Sequence, residues 1–323
     1  MGGYAARRIL FALVTVFVAI TLNFGLFRLL PGDALSALRC KNCTEAFKKA
    51  QRHDLGLDRS KGAQYLLYIE GLAHGRLGQS LRNEAPVRDE LGEPIKNTVL
   101  LVLSGTIFSI IFGILQGVVS AWRRGTAVDR IGQATALAFY SMPTQWLALL
   151  IVLFVAGAVG LPTSGVADPT INILGDASTW AIFVDRVRHL ILPSLTLGLV
   201  LYGDYSLIVR SAMLETLGED YVLTARAKGL TNWRIVWRHG FRNALLPVVT
   251  LIALSLGFVI GGVYTIEYIF SYPGIGYLTV EAIDQRDYAV LQGIFLLITV
   301  SVILFNLAAD LLYPKLDPRV TTA

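Results

Sequence analysis

Six long apolar runs constrain this chain more than anything else in it: about Ile9 to Leu30, Thr98 to Trp122, Ile131 to Val159, Leu190 to Val209, Ala244 to Phe270 and Val290 to Leu312. Each can cross a hydrocarbon layer about 30 Å thick. A backbone surrounded by lipid has no water for its N–H and C=O groups, so each run is expected to be a helix. The composition agrees, with 54% hydrophobic and 16% charged residues against about 45–50% and about 25% in soluble domains. One polytopic bundle is expected rather than a soluble core.

The first run follows Arg7 and Arg8. It is too long for the h-region of a secretory signal and no small-x-small cleavage site follows it, so it is expected to be a retained span. A lipoprotein-like reading at Cys40 fails because Arg39 precedes the cysteine. Orientation comes from the short loops. Arg7, Arg8, Arg123, Arg124, Arg130, Arg210, Arg226, Lys228, Arg234, Arg238, Arg242, Lys315 and Arg319 fall on one side. Asp168, Asp176, Asp185, Glu281, Asp284 and Asp287 fall on the other. Basic loops stay cytoplasmic, so both termini are placed there. The net charge of +5 is explained by those loops and does not point to nucleic acid.

The resulting division is residues 1–30, the first helix with a cytoplasmic N-terminus, and 31–95, an extracytoplasmic loop. Residues 96–313 form a five-helix core with a cytoplasmic loop at 211–243, and 314–323 are a cytoplasmic tail. Within the long loop, Thr44 to His53 and Ala63 to Ala73 carry apolar residues at helical spacing. Pro143, Pro193 and Pro247 sit in or at the ends of spans, where packed neighbours tolerate the lost hydrogen bond. Gly113-xxx-Gly117 and Gly257-xxx-Gly261 have the spacing that lets helix backbones approach, either within the chain or at a subunit seam.

Several chemistries are excluded by what is missing. There is no Gly-x-x-x-x-Gly-Lys-Ser/Thr phosphate cradle, no His-Glu-x-x-His pair and no Gly-x-Ser-x-Gly elbow. The four histidines are scattered at 53, 74, 189 and 239. Catalysis within the chain, a resident cofactor and a bound metal are therefore not expected. Cys40 and Cys43, in the external loop, read first as a local disulfide, with free thiols or a redox pair as the other readings.

Asp204 lies inside the fourth run, where an ionisable group costs roughly 2.5–3.5 kcal/mol at the bilayer centre. Either it lines a pathway and meets a cationic group of a cargo, or it is bonded near the interface to Tyr202, Tyr205 or a neighbouring helix. Together with Asp310 at the membrane edge, it is the only group a secondary transporter or channel could use for ion coupling.

Between the fourth and fifth runs the chain turns polar. Glu219 and Asp220 suit the positive end of a helix dipole, and Lys228 then Gly229 suit its end. Thr231 is placed to cap a second helix, with Trp233, Val236, Trp237, Gly240 and Phe241 on one face and Arg234, Arg238 and Arg242 on another. By pattern alone this is a passive interfacial loop or a docking element.

Arg210-Ser211-Ala212-Met213-Leu214-Glu215, Asp220-Tyr221-Val222, Thr224-Ala225-Arg226-Ala227-Lys228-Gly229-Leu230 and Arg242-Asn243-Ala244-Leu245-Leu246-Pro247 together resemble the cytoplasmic signature loop of ABC importer permeases. The oligopeptide/dipeptide/nickel branch is the closest in pattern. Leu30-Pro31-Gly32-Asp33, Leu55-Gly56-Leu57-Asp58, Leu192-Pro193-Ser194-Leu195-Thr196-Leu197, Tyr272-Pro273-Gly274-Ile275-Gly276, Arg286-Asp287-Tyr288 and Leu316-Asp317-Pro318-Arg319 are similar to that branch along most of the chain. The general motif starts Glu-Ala-Ala, six positions before its glycine. Aligned on Gly229 those positions are Leu223, Thr224 and Ala225, so the acid is absent, as is usual in the peptide branch.

The resemblance implies an all-α integral membrane protein with six transmembrane helices, the type I ABC importer permease fold, in the plasma (inner) membrane of a prokaryote. It implies a second homologous permease, two ATPase subunits and an extracytoplasmic solute-binding protein as partners, with ATP and Mg held by the ATPases. Thr224, Ala225, Arg226, Ala227, Lys228 and Gly229 become the ATPase-coupling residues, Ala225 and Gly229 being small where a groove wall approaches. Arg226 or Lys228 carries the contact that a Glu makes elsewhere. Short peptides are the expected cargo, with nickel or oligosaccharides as alternatives within the same architecture.

Overall fold

The computed structural model describes residues 2–29, 58–80, 85–171, 177–245, 248–249, 252 and 263–316. Most of the fifth apolar run, Cys40, Cys43, the Thr44 to His53 segment, and Gly257 and Gly261 lie outside the described residues. Among the described residues the regular structure is helix, joined by turns and loops, with an isolated bridge between Gln79 and Pro86. Among the described residues, four helices are long and apolar enough to cross a membrane, and a bent pair makes a fifth candidate.

Helix α1 (Gly2–Leu29) packs antiparallel to the last helix, here α11 (Tyr288–Leu316). Arg8 pairs with Asp310 at 3.0 Å at one end, and Asn23 Nδ2 donates to the Gln292 carbonyl at 3.2 Å toward the other. The first and last helices thus have their outer ends on one face, which requires an even number of crossings between them, as a six-span arrangement has.

After α2 (Lys61–Ala73), capped by the Ser60 hydroxyl accepting from Ala63 N–H, α3 (Val87–Trp122) begins within the stretch assigned to the external loop. It packs along α6 (Thr179–Leu217) in parallel. A methyl group on Gly105 would fall 2.8 Å from Leu197 Cδ2, one on Gly113 2.6 Å from Tyr205 Cβ, and one on Gly117 2.7 Å from the Ser206 carbonyl oxygen. The Gly113-xxx-Gly117 spacing therefore serves close packing within the chain, where small residues let two backbones meet.

The third apolar run is not one continuous helix. It is α4 (Ala127–Ser141) followed by α5 (Thr144–Val159), bent by 108°. Pro143 is the cause, since the ring of a proline pushes the residue before it out of the α region, and Met142 is extended at φ −78°, ψ 127°. The pair still crosses once. Asp129 at its start is bonded to Arg210 on α6, and the Gly160 carbonyl just past its end accepts from Arg188 Nη2 at 2.9 Å. The span of α6 between residues 188 and 210 rises about 33 Å at about 1.5 Å per residue, the depth of the hydrocarbon.

At the other end of α3, α9 (Tyr264–Ile269) and α10 (Ile275–Gln285) are joined through the Tyr272-Pro273-Gly274 turn. Fully buried Glu267 organises them. Its Oε1 accepts from Thr98 Oγ1 at 2.6 Å, and its Oε2 accepts from the backbone N–H of Gly276 at 2.7 Å and Tyr277 at 3.0 Å. Ile275 N–H donates to Thr98 Oγ1 at 2.8 Å. Orphan donors at the start of α10 are thus satisfied from α9 and α3. Asp287 plays a similar part at α11, accepting from Val290 N–H at 3.2 Å and from Ser80 Oγ at 2.6 Å.

Candidate coupling loop and pathway residues

The loop between α6 and the fifth apolar run folds as α7 (Asp220–Ala227) and α8, a turn at Asn232–Arg234 that widens into π-helical Ile235–Phe241. Asp220 lies in the first turn of α7, and Glu219 takes the extended N-cap conformation without a side-chain capping bond. Thr231 also stands at an N-cap position, but its hydroxyl makes no capping bond; only its carbonyl accepts, from Ile235 N–H at 3.0 Å.

The end of α7 is a Schellman motif. Leu230 N–H donates to the Ala225 carbonyl at 3.3 Å and Gly229 N–H to the Arg226 carbonyl at 2.9 Å, with Gly229 left-handed at φ +71°. That pairing of bonds with a glycine in the left-handed region closes a helix without an orphan carbonyl. Nothing lies within 4 Å of where a Gly229 Cβ would be. Within this chain, glycine is therefore required there by backbone conformation and not by crowding.

Val222, Ala225 and Ile235 are buried in one small cluster, with Trp122, Leu217 and Leu230 against it. Ala225 is thus small on the side of α7 turned into the bundle, where the sequence had placed it toward a partner. Thr224, Arg226, Ala227, Lys228 and Gly229 are exposed. Leu223, which stands where the general motif has its Glu, is an apolar tip among them, 59% exposed. The Arg226 guanidinium lies 5.9 Å from the Trp122 ring centroid, and a cavity of about 500 Å³ beside it is lined by Trp122, Arg124, Gly218, Arg226 and Asn232.

Two sets of contacts tie α7 to the bundle. Tyr221 Oη donates to the His239 carbonyl at 3.1 Å and accepts from Asn243 Nδ2 at 2.7 Å, pinning α7 to α8. Val236 and Ala244 pack with Val209 and Met213 of α6 and Val118 and Ala121 of α3. On the outer side, Trp233, Trp237 and Phe241 form a ladder with centroids 5.4 and 5.2 Å apart, while Arg234, Arg238 and Arg242 are exposed. Trp233, expected on the apolar face, is itself largely exposed, which suits an aromatic at a membrane interface.

Just above the loop, Arg210 donates from Nε and Nη2 to the two carboxylate oxygens of Asp129 at 2.7 and 2.9 Å. Asp129 also accepts from Gly125 N–H and Gln133 Nε2. In the sequence Arg210 stands out as a cytoplasmic charge and as the start of the signature loop, not as half of an ion pair. The signal that could have found its partner is an acid at the cytoplasmic start of the third run.

Asp204 sits half-buried on α6, and no hydrogen bond or ion pair from a described residue satisfies it. Asp310, the acid at the membrane edge, is bonded to Arg8.

Residues 99–322 match the family of binding-protein-dependent transport system inner membrane components, and residues 1–101 match the N-terminal region of such components. The chain belongs to this family. It is 39% identical to the di/tripeptide transport system permease protein DppB of Pseudomonas aeruginosa over 99% of both chains. Identity is 38% to the dipeptide transport system permease protein DppB of Escherichia coli over 95% of both, and 35% to the glutathione transport system permease protein GsiC of Pectobacterium atrosepticum over 99% of both. The fold resembles a chain of the MetNI methionine ABC transporter, solved in inward facing conformations, with a TM-score of 0.55 at 19% identity, covering 70% of this chain and 95% of that one. This permease is a multi-pass membrane protein and the pore subunit of an ABC importer, working with ATPase and solute-binding partners.

Proposed function

We propose that this permease passes short peptides, delivered by an external binding protein, and pairs with a second homologous permease over two ATPase subunits. The observation that carries the cargo reading is the 39% identity over the whole length to a di/tripeptide permease, above the 33–35% to the glutathione permeases. ATP and Mg belong on the partner subunits, and hydrolysis occurs there.

Its mechanical part follows from the loop. Thr224, Arg226, Ala227, Lys228 and Gly229, with Leu223, form the surface that sits in an ATPase groove, and Ala225 holds that surface to the bundle. When ATP draws the ATPases together, the groove moves α7. Because α7 is pinned to α8 and α8 is packed on α6 and α3, the half-pore follows as a near-rigid body, since packed cores switch between arrangements rather than deform. The Arg226 contact replaces the one made by the Glu of the general motif.

The test is the assembled importer in proteoliposomes, with ATP hydrolysis measured as binding protein loaded with di- and tripeptides, a nickel chelate or oligosaccharides is added. Peptide-loaded binding protein is expected to stimulate hydrolysis and accumulate peptide inside. Stimulation by nickel or oligosaccharide alone overturns the cargo reading.

A further inference from the structure

Asp204 is a carboxylate at membrane depth with no protein partner among the described residues. The segment from 204 to 210 rises about 9 Å and that from 188 to 204 about 24 Å, which puts Asp204 inside the hydrocarbon slab, toward the cytoplasmic side. A side chain this short cannot reach interfacial water from there, and an ionisable group facing lipid is costly. Successive residues of a helix point about 100° apart. Gly203 is pressed against α4, where an added methyl would fall 2.6 Å from the Ala136 carbonyl oxygen, and Tyr205 is fully buried against Gly113 of α3. With its two neighbours committed to those contacts, Asp204 points away from both helices. The described start of the fifth run does not cover it either, since Ala244 and Val248 pack on the Val118 and Val209 side.

In a pore subunit, a face at this depth that no described helix closes off and that lipid does not suit is the face of the aqueous route. We infer that Asp204 lines that route and takes the positively charged ammonium group of the cargo. Every unblocked short peptide carries such a group at its N-terminus, and a carboxylate with no counter-ion among the described residues can pair with it. The inference rests on the peptide reading for the identity of the cation, and not for the position of Asp204.

The experiment uses the whole importer in proteoliposomes. Asp204→Asn is expected to lower dipeptide uptake about tenfold while the concentration of loaded binding protein giving half-maximal ATPase stimulation stays the same. Asp204→Glu is expected to recover most of the uptake. In a Cys40→Ser/Cys43→Ser background, the thiol of Asp204→Cys is expected to react with both sulfonate- and trimethylammonium-bearing methanethiosulfonates and to be protected by peptide during turnover. The sulfonate adduct, which restores a negative charge, is expected to raise uptake severalfold over the trimethylammonium adduct. A thiol inert to both reagents, wild-type uptake by Asp204→Asn, or equal uptake by the two adducts overturns the inference. A wild-type importer that takes up no peptide refutes the cargo reading and with it the ammonium partner, while thiol reactivity still reports the aqueous position.

Discussion

Asp129 and Arg210 meet as a bidentate pair, with Nε to Oδ1 at 2.7 Å and Nη2 to Oδ2 at 2.9 Å, joining the start of α4 to the end of α6 next to the coupling loop. Asp129 is almost wholly buried, whereas the Arg210 side chain is 19% exposed. Removing one member leaves the other charge uncompensated, which costs roughly 3–5 kcal/mol when both are buried. Partial access of Arg210 to water places this pair at or below the lower end of that range.

Asp129→Asn is therefore expected to lower the thermal midpoint of the detergent-solubilised complex. Arg210→Lys should fall between it and the wild type, because an ammonium cannot make two parallel bonds to one carboxylate. Equal midpoints for all three proteins would show that the pair does not hold α4 to α6.

Two glycines on α3 should respond differently to alanine. At Gly117 the new methyl meets the Ser206 carbonyl oxygen at 2.7 Å, a backbone atom that can move only if α3 and α6 separate. At Gly92 nothing lies within 4 Å, and alanine is favoured over glycine in a helix by about 1 kcal/mol. Gly117→Ala is expected to lower the thermal midpoint and Gly92→Ala to leave it unchanged or raise it. A destabilised Gly92→Ala beside an unaffected Gly117→Ala contradicts the packing.

These two cases also mark what the sequence could show. Apolar runs report membrane depth because every residue of a lipid-crossing helix contributes to them, so the runs in α1, α3, α6 and α11 were visible. Direction is invisible to composition, so the 108° bend at Pro143 was not. The close of α7 was legible because Lys228 before Gly229 is a local signal, and the structure adds the Leu230 bond that completes it. Which way Ala225 faces was not, since a small residue suits a buried contact and an approaching partner equally. Asp129 and Glu267 were missed because their partners, Arg210 and Thr98, are distant in the chain and no period links them.

The Glu267 network yields a graded series. Glu267→Ala leaves the Thr98 hydroxyl and the Gly276 and Tyr277 N–H groups without their acceptor, and a buried orphan donor costs about 1–3 kcal/mol. Glu267→Gln keeps one oxygen in place of Oε2 for the two backbone donors, while its amide replaces Oε1 against Thr98. Hydrogen exchange across Ile275–Gln285 is expected to be slowest in the wild type, faster in Glu267→Gln and fastest in Glu267→Ala. Identical exchange in the three proteins would mean that the carboxylate does not hold α10.

Gly229 separates backbone conformation from partner contact. Its φ of +71° lies where a side chain costs about 1–2 kcal/mol, and asparagine tolerates that region best after glycine. No atom of this chain would touch an added Cβ, so Gly229→Asn is expected to insert, fold and transport almost as the wild type does. Gly229→Ala should lose some helix-end stability and little transport. Gly229→Arg carries the same backbone cost as Gly229→Ala and adds bulk and charge on the exposed side of the loop. It is expected to reach the membrane in normal amount, transport poorly and lose cargo-stimulated ATP hydrolysis. Ala225→Arg provides the contrast, since a guanidinium forced among Val222, Ile235 and Leu230 should disorder the loop and lower the amount of assembled complex. Full transport by Gly229→Arg would remove this end of α7 from the ATPase contact, whatever the behaviour of Ala225→Arg.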